Sequence, residues 1–193
     1  MHRALLSEGR LASIFDHVVH RLADGNSKVV AVALQTVSKL FPIFKDGSCI
    51  ALNALMPLLA TTLSSTNERI KSLSNYALDE LIRSSSDPSL LLQNLTHCVS
   101  HGPLRGKHIL VDKLTSILLQ VYSSKPQAVV RYALPACFSL IKTSLSSSQE
   151  IRHASTKLVK ELNKCCGKEM LINSASSLSA TIQAKLEDIL ATC

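Results

Sequence analysis

The sequence predicts an all-α protein, an α-solenoid of stacked helical pairs, on three observations. A polar turn followed by an amphipathic helix recurs about every forty residues, anchored at Val29, Ile70, Ile109 and Ile151, which lie 41, 39 and 42 residues apart. Apolar residues return eight positions after each anchor, at Val37, Leu78, Ile117 and Val159. They return eleven positions after it at Leu40, Leu81 and Leu162, with Gln120 departing in the third copy. No alternating strand pattern lies between the copies. A long fixed period of helical units marks an architecture whose repeats bury their apolar faces only by stacking. Four positions after each anchor stand Ala33, Ser74, Lys113 and Ser155; a small residue there lets a neighbouring helix approach, and the third copy breaks step.

A first outer helix is expected over His2–Leu22, from Leu11, Ile14, Phe15, Val18 and Leu22. Asp24, Gly25 and Asn26 form a turn, and Asn26 or Ser27 caps an inner helix expected to end at Phe41, before Pro42. Lys45–Ser48 reads as a loop. Cys49–Leu63 is apolar on nearly every side, with Pro57 inside it to kink it or delay its start. The next turn, Ser64–Arg69, leads to an inner helix ending near Ile82 or Arg83. Ser84–Asp87 is a linker in which Asp87 caps a helix opened by Pro88. Leu90, Leu91, Leu95, Cys98 and Val99 make the third outer helix. His101–Lys107 is the longest and most basic turn, and its inner helix continues through Val121. Pro126 opens the fourth outer helix, with Pro135 inside it. The fourth turn is Ser146–Arg152. A short helix near Met170–Ile172 and a last one with Ile182, Leu186 and Ile189 follow. No domain boundary stands out, so residues 1–193 are read as one domain of about four helical pairs plus C-terminal helices.

The hydrophobic fraction is 46% but the aromatic fraction is 4% with no Trp, so Leu, Ile, Val and Ala do the packing. No apolar run reaches the roughly 20 residues that span a bilayer, and the N-terminus lacks a signal-peptide core. Cys49, Cys98, Cys137, Cys165, Cys166 and Cys193 show no disulfide-scaffold spacing, which suits reduced thiols.

His17 with His20, and His97, Cys98, His101 and His108, contain metal-ligand types without the paired spacing of a zinc site, so no metal is expected. For catalysis the best candidate is Cys98 activated by His97 or His101, and a nucleophile needs an oriented base and a stabiliser for developing charge. No phosphate loop, G-x-S-x-G or H-E-x-x-H occurs. The chain is therefore expected to be a binding module, not an enzyme, with no cofactor and no small-molecule substrate.

A net charge of +7 favours an acidic partner. Lys28, Arg69, His108 and Arg152 stand at or beside matching positions at the starts of the four inner helices; Lys71, Arg105 and Lys107 lie close by, and Asn26 matches Asn67. Equivalent turns of a solenoid stack along one edge. A cation at a helix N-terminus opposes the macrodipole, so a recurring one asks for another reason. Three readings follow: an acidic protein surface met by this edge, a scaffold gripping a protein along another face, or nucleic acid on the same strip. Tyr76, Tyr122 and Tyr132 lie within helical patterns and give no stacking platform, which weighs against nucleic acid. No helix pairs a dense basic face with a bulky apolar one, which weighs against a membrane.

The stretches D-G-N-S-K-V with the A-L and L-F that follow, A-L-M-P-L-L-A-T-T-L before T-N-E-R-I-K, and R-Y-A-L-P-A-C-F-S-L-I-K before S-Q-E-I-R resemble a TOG domain, the HEAT-repeat module of microtubule regulators. The likeness covers most of the chain. It resembles the crescerin group, TOG array regulators of axonemal microtubules, more than the CLASP group. The resemblance implies a paddle-like domain, tubulin or microtubules as partner, and a cytoplasmic, cytoskeletal location with a link to the cilium or axoneme. It also implies tubulin-contacting turns. Asn26 and Lys28 match the first, Asn67, Arg69 and Lys71 the second, Arg105 and Lys107 the third, and Arg152 the fourth. The chain departs from the family in lacking the Trp of the first turn, and in having four pairs and part of a fifth where six are typical.

Overall fold

A computed structural model describes residues 8–192. The first helical expectation therefore lies partly outside the described residues, at 2–7. Backbone contacts group the chain into two compact units, Met1–Asp87 and Pro88–Cys193. No strand occurs among the described residues.

In the first unit, α1 (Glu8–Leu22) buries Phe15, Val18 and Leu22 at helical spacing. In the turn that follows, the Asn26 amide N–H donates to Asp24 Oδ1 at 2.8 Å, and Asn26 Oδ1 accepts from Lys28 N at 2.9 Å. That cap starts α2 (Ser27–Phe44), which buries Val30, Leu34, Val37 and Phe41. The expected stop at Phe41 is not observed: the helix continues through exposed Pro42, and Phe44 packs edge-on against Phe15 with centroids 5.9 Å apart. That packing holds the final turn despite the missing N–H. Lys45, at φ 49°, then breaks the helix.

Lys45–Ala51 forms a 3₁₀ helix where a loop was expected. Asp46 explains it. Its carboxylate accepts from Ser86 N at 2.8 Å and Ser85 Oγ at 3.4 Å, fastening the segment to the chain beyond α4 (Glu68–Ser84). The regular helix α3 (Leu52–Leu63) starts late, as the sequence suggested, and carries Pro57 on an exposed face. Asn67 caps α4, its Oδ1 accepting from Arg69 N at 3.0 Å and Ile70 N at 3.4 Å. Ser74 is fully buried: its hydroxyl donates to Leu59 O at 2.8 Å and accepts from Thr62 Oγ1 at 2.9 Å. The inner helices α2 and α4 pack side by side, and α1 packs on α3.

The helical run Ser27–Leu63 is long and apolar enough by composition to cross a membrane. The 3₁₀ segment with Lys45 and Asp46 interrupts it, and Leu34, Val37, Phe41, Leu55, Met56, Leu59 and Leu63 face the core of the unit.

In the second unit, α5 (Ser89–His101) begins one residue later than expected: Pro88, not Asp87, takes the N-cap position, without a side-chain cap. Leu91, Leu95, Cys98 and Val99 are buried, whereas Leu90 is exposed. α6 (Lys107–Ser124) follows the long turn. The fourth outer helix is composite: α7 (Pro126–Ala128), a π turn over Val129–Ala133, then α8 (Leu134–Ser144). The wide turn relieves the clash that the Pro135 ring would make with a regular preceding turn. Next come α9 (Gln149–Cys166), α10 (Lys168–Ala175) and α11 (Ala180–Ala191), with Ile182, Leu186 and Ile189 buried. Gly167, at φ 82°, separates α9 from α10. Inner helices α6 and α9 pack together, α5 packs on α8, and α10 and α11 close over α8 and α9. Each unit thus has the two-layered, paired-helix construction of an α-solenoid.

Candidate protein-binding turns

In the first unit the turns before α2 and α4 flank one groove of about 640 Å³, lined by Asp24, Gly25 and Ser27 on one side and Ser64, Ser65 and Thr66 on the other. Lys28 and Arg69 occupy the same place in their helices, two residues after a capping Asn, and both are exposed. Among the described residues neither forms an ion pair. Oδ1 of Asn26 and of Asn67 is taken by backbone N–H groups, which leaves the side-chain NH₂ as the remaining donor. Lys71 is more sheltered and lies 3.8 Å from Glu68.

The turns of the second unit differ. Arg105 is exposed and unpaired among the described residues. Lys107 is not a surface contact: it is 2% exposed, and Nζ turns back toward Ser100 O at 3.4 Å. The carbonyl belongs to the last turn of α5, where the dipole favours a cation. Burial nevertheless holds the Lys107 ammonium below the usual lysine range, partly offset by Cys98. His108 Nδ1 lies 3.6 Å from Glu150, and Lys157 Nζ donates to Asp112 at 2.5 Å, so carboxylates accompany the cations between α6 and α9. Arg152 is exposed, with Nε donating to Ser147 O at 3.1 Å. Arg105 apart, the cations of these turns are withdrawn, bonded to backbone or accompanied by carboxylates, unlike the free pair of the first unit.

The frame of the third turn is tight. Gly102 N donates to Cys98 O at 2.8 Å, and a Cβ on Gly102 would come within 2.4 Å of that oxygen. Gly106 adopts φ 79°, and Lys107 N donates to Leu104 O at 3.1 Å. Leu104, which sequence reasoning passed over, is 55% exposed between these constraints. Its signal was an apolar residue flanked by turn formers, in G-P-L-R-G. A second unanticipated feature is an apolar groove of about 480 Å³ between α1 and α2, floored by Val18, Val29, Val32 and Ala33 and rimmed by Arg21 and Lys28.

The cysteine and histidine clusters offer little chemistry. Burial pushes the Cys98 thiol up to about 11, and Cys137 is raised further still. Nδ1 of His17 and of His20 is engaged with backbone carbonyls four residues back, at 2.6 and 2.9 Å. The rings of His97 and His101 stack with centroids 4.6 Å apart. Among the described residues no group of three or more metal-ligating side chains converges.

No family model matches the chain. It is 32% identical over 191 residues to the human and mouse proteins called TOG array regulator of axonemal microtubules protein 1, matching 94% of its own length. The chain spans only 11% and 10% of those two relatives. A solved crescerin TOG-domain structure superposes with a TM-score of 0.72 at 18% identity, covering 99% of this chain and 78% of that one. A structure from work on TOG–tubulin binding specificity superposes at 0.62 with 12% identity, covering 83% and 64%. The superpositions show the helical-repeat fold, and the sequence match joins it to the axonemal regulators. The chain is thus similar in sequence to one stretch of the axonemal microtubule regulators and similar in fold to solved TOG domains.

Proposed function

We propose that this chain is a non-catalytic tubulin-binding module of a cytoskeletal, cilium-linked microtubule regulator, and that its basic turns make the contact. The observation that carries the reading is the matched pair Lys28 and Arg69, exposed and unpaired at the starts of α2 and α4. Each sits where the helix dipole disfavours a cation, so local stability does not account for it. The names of the relatives, and the tubulin-binding subject of one solved neighbour, support the identity of the acidic partner. Asn26 and Asn67 fix the cations through the caps. Lys71, Arg105 and Arg152 add charge, and Lys107 is withdrawn from the contact set.

The test is gel filtration and sedimentation with αβ-tubulin, wild type against Lys28→Glu plus Arg69→Glu. The double reversal lowers the net charge from +7 to +3, each reversal removing two charges. Exposed contacts are individually weak, and turning attraction into repulsion at two of them costs about 1–3 kcal/mol, roughly 5- to 150-fold in affinity. Added salt should weaken the wild-type complex as the screening length falls below about 10 Å. Affinity indifferent to the double reversal would remove the edge from the contact.

A second reading, a scaffold that grips a protein segment, is favoured by the apolar groove between α1 and α2. Binding that resists salt and is lost with Val32→Asp would support it. For nucleic acid, Tyr76 is engaged with the Glu80 carboxylate, which raises its pKa, and Arg131 lies over the Tyr132 ring at 5.4 Å.

A further inference from the structure

We propose that Leu104 is the apolar anchor of the tubulin contact, with Arg105 beside it; this rests on the tubulin-binding reading above. Exposed charges steer a partner and set register, while affinity comes mainly from a few side chains desolvated at the centre of the interface. The chain has no Trp to serve there. Among the described residues, the large apolar side chains left exposed lie within helices, apart from Leu104 and Leu145. Leu145 sits at the end of α8 beside Ser146, Ser147 and Ser148, and Arg152, further along that turn, is bonded to the Ser147 carbonyl. Leu104 alone stands next to an exposed cation without a partner.

The turn is also prepared for binding. Gly102 admits the close approach to Cys98 O, Gly106 supplies the left-handed backbone, and Lys107 N closes the turn onto Leu104 O. The buried Lys107 side chain reaches back toward Ser100 O and ties the turn to α5. A turn held this way loses little backbone freedom on docking. Its complement is an apolar recess rimmed by carboxylates: the recess accepts Leu104, and a carboxylate pairs with Arg105 through two parallel hydrogen bonds.

The experiment measures αβ-tubulin binding by sedimentation at low and high salt for wild type, Leu104→Ser, Leu104→Met and Leu119→Ser. Leu119 is a matched control, 63% exposed but within α6. Leu104→Ser should weaken binding about tenfold or more by the same factor at both salt concentrations, as expected of a hot spot. Leu104→Met and Leu119→Ser should stay within about twofold of wild type, and all three should keep the wild-type thermal midpoint. If wild type binds and Leu104→Ser binds equally well, or if Leu119→Ser loses as much, the anchor is overturned and the basic turns stand. Wild type that fails to bind tubulin overturns the anchor and the reading beneath it together.

Discussion

Ser74 and Ser155 occupy the same position of the repeat, four residues after their anchors, yet the same substitution should have opposite effects at the two sites. Both are buried, at 0% and 1% exposure. Ser74 joins α4 to α3, donating to Leu59 O at 2.8 Å and accepting from Thr62 Oγ1 at 2.9 Å. Ser155 Oγ has no hydrogen-bond partner. Ser74→Ala removes two bonds worth about 0.5–1.5 kcal/mol each and gains about 0.5 kcal/mol of helix propensity, a net loss of about 0.5–2.5 kcal/mol. Ser155→Ala removes a desolvated hydroxyl that gains nothing from burial, and adds the same propensity, a net gain of about 1–2 kcal/mol. In a chain of this size each kcal/mol moves the thermal midpoint by roughly 2–4 °C, so the two variants should lie about 3–18 °C apart, on either side of wild type. Thermal unfolding followed by far-ultraviolet circular dichroism measures this. Shifts of the same sign would refute the claim that the repeat's small position is hydrogen-bonded in one copy and merely small in the other.

Three further outcomes are expected. Between its lowered folded pKa and the unfolded value near 10.4, Lys107 has shed a proton that the unfolded chain retains, so it makes stability rise with pH. Cys98, pushed up to about 11, keeps a proton that the unfolded chain loses and makes stability fall over an overlapping range. Lys107→Met removes the first effect and leaves Cys98 without a neighbouring cation, so its stability should drop more steeply than wild type as pH rises toward the unfolded lysine value; parallel profiles would contradict the burial of the ammonium. Alkylation at pH 8 should modify half-buried Cys49, Cys165 and Cys166 within the native protein, and Cys98 and Cys137 only on unfolding, as peptide mass mapping would show. We propose that residues 1–193 fold as one domain, which predicts a single calorimetric transition whose van't Hoff and measured enthalpies agree; two separable transitions, one for each compact unit, would reject it.

The repeat was legible because its signals are local. A capping Asn and a period of helical apolar residues identify α2 and α4 without knowledge of what they touch. What escaped the sequence depends on distant partners. Asp46 turns an apparent loop into a 3₁₀ segment by meeting Ser85 and Ser86, about forty residues away. Pro42 fails to end α2 because Phe44 finds Phe15. Its place in a basic turn, and the family resemblance, put Lys107 on the surface, yet its stem is long enough to reach the end of α5, and burial follows. Leu104 went unnoticed because periodicity explains apolar residues within helices, while one in a turn matters only through its exposure.

The most direct test of the tubulin-binding turns is amide hydrogen exchange with and without αβ-tubulin. Slowed exchange is expected at Asp24–Lys28, Ser64–Arg69 and Gly102–Lys107, with the exposed faces of α1 and α11 unchanged. Protection confined to the groove between α1 and α2, with the turns exchanging as in the free protein, would contradict the account.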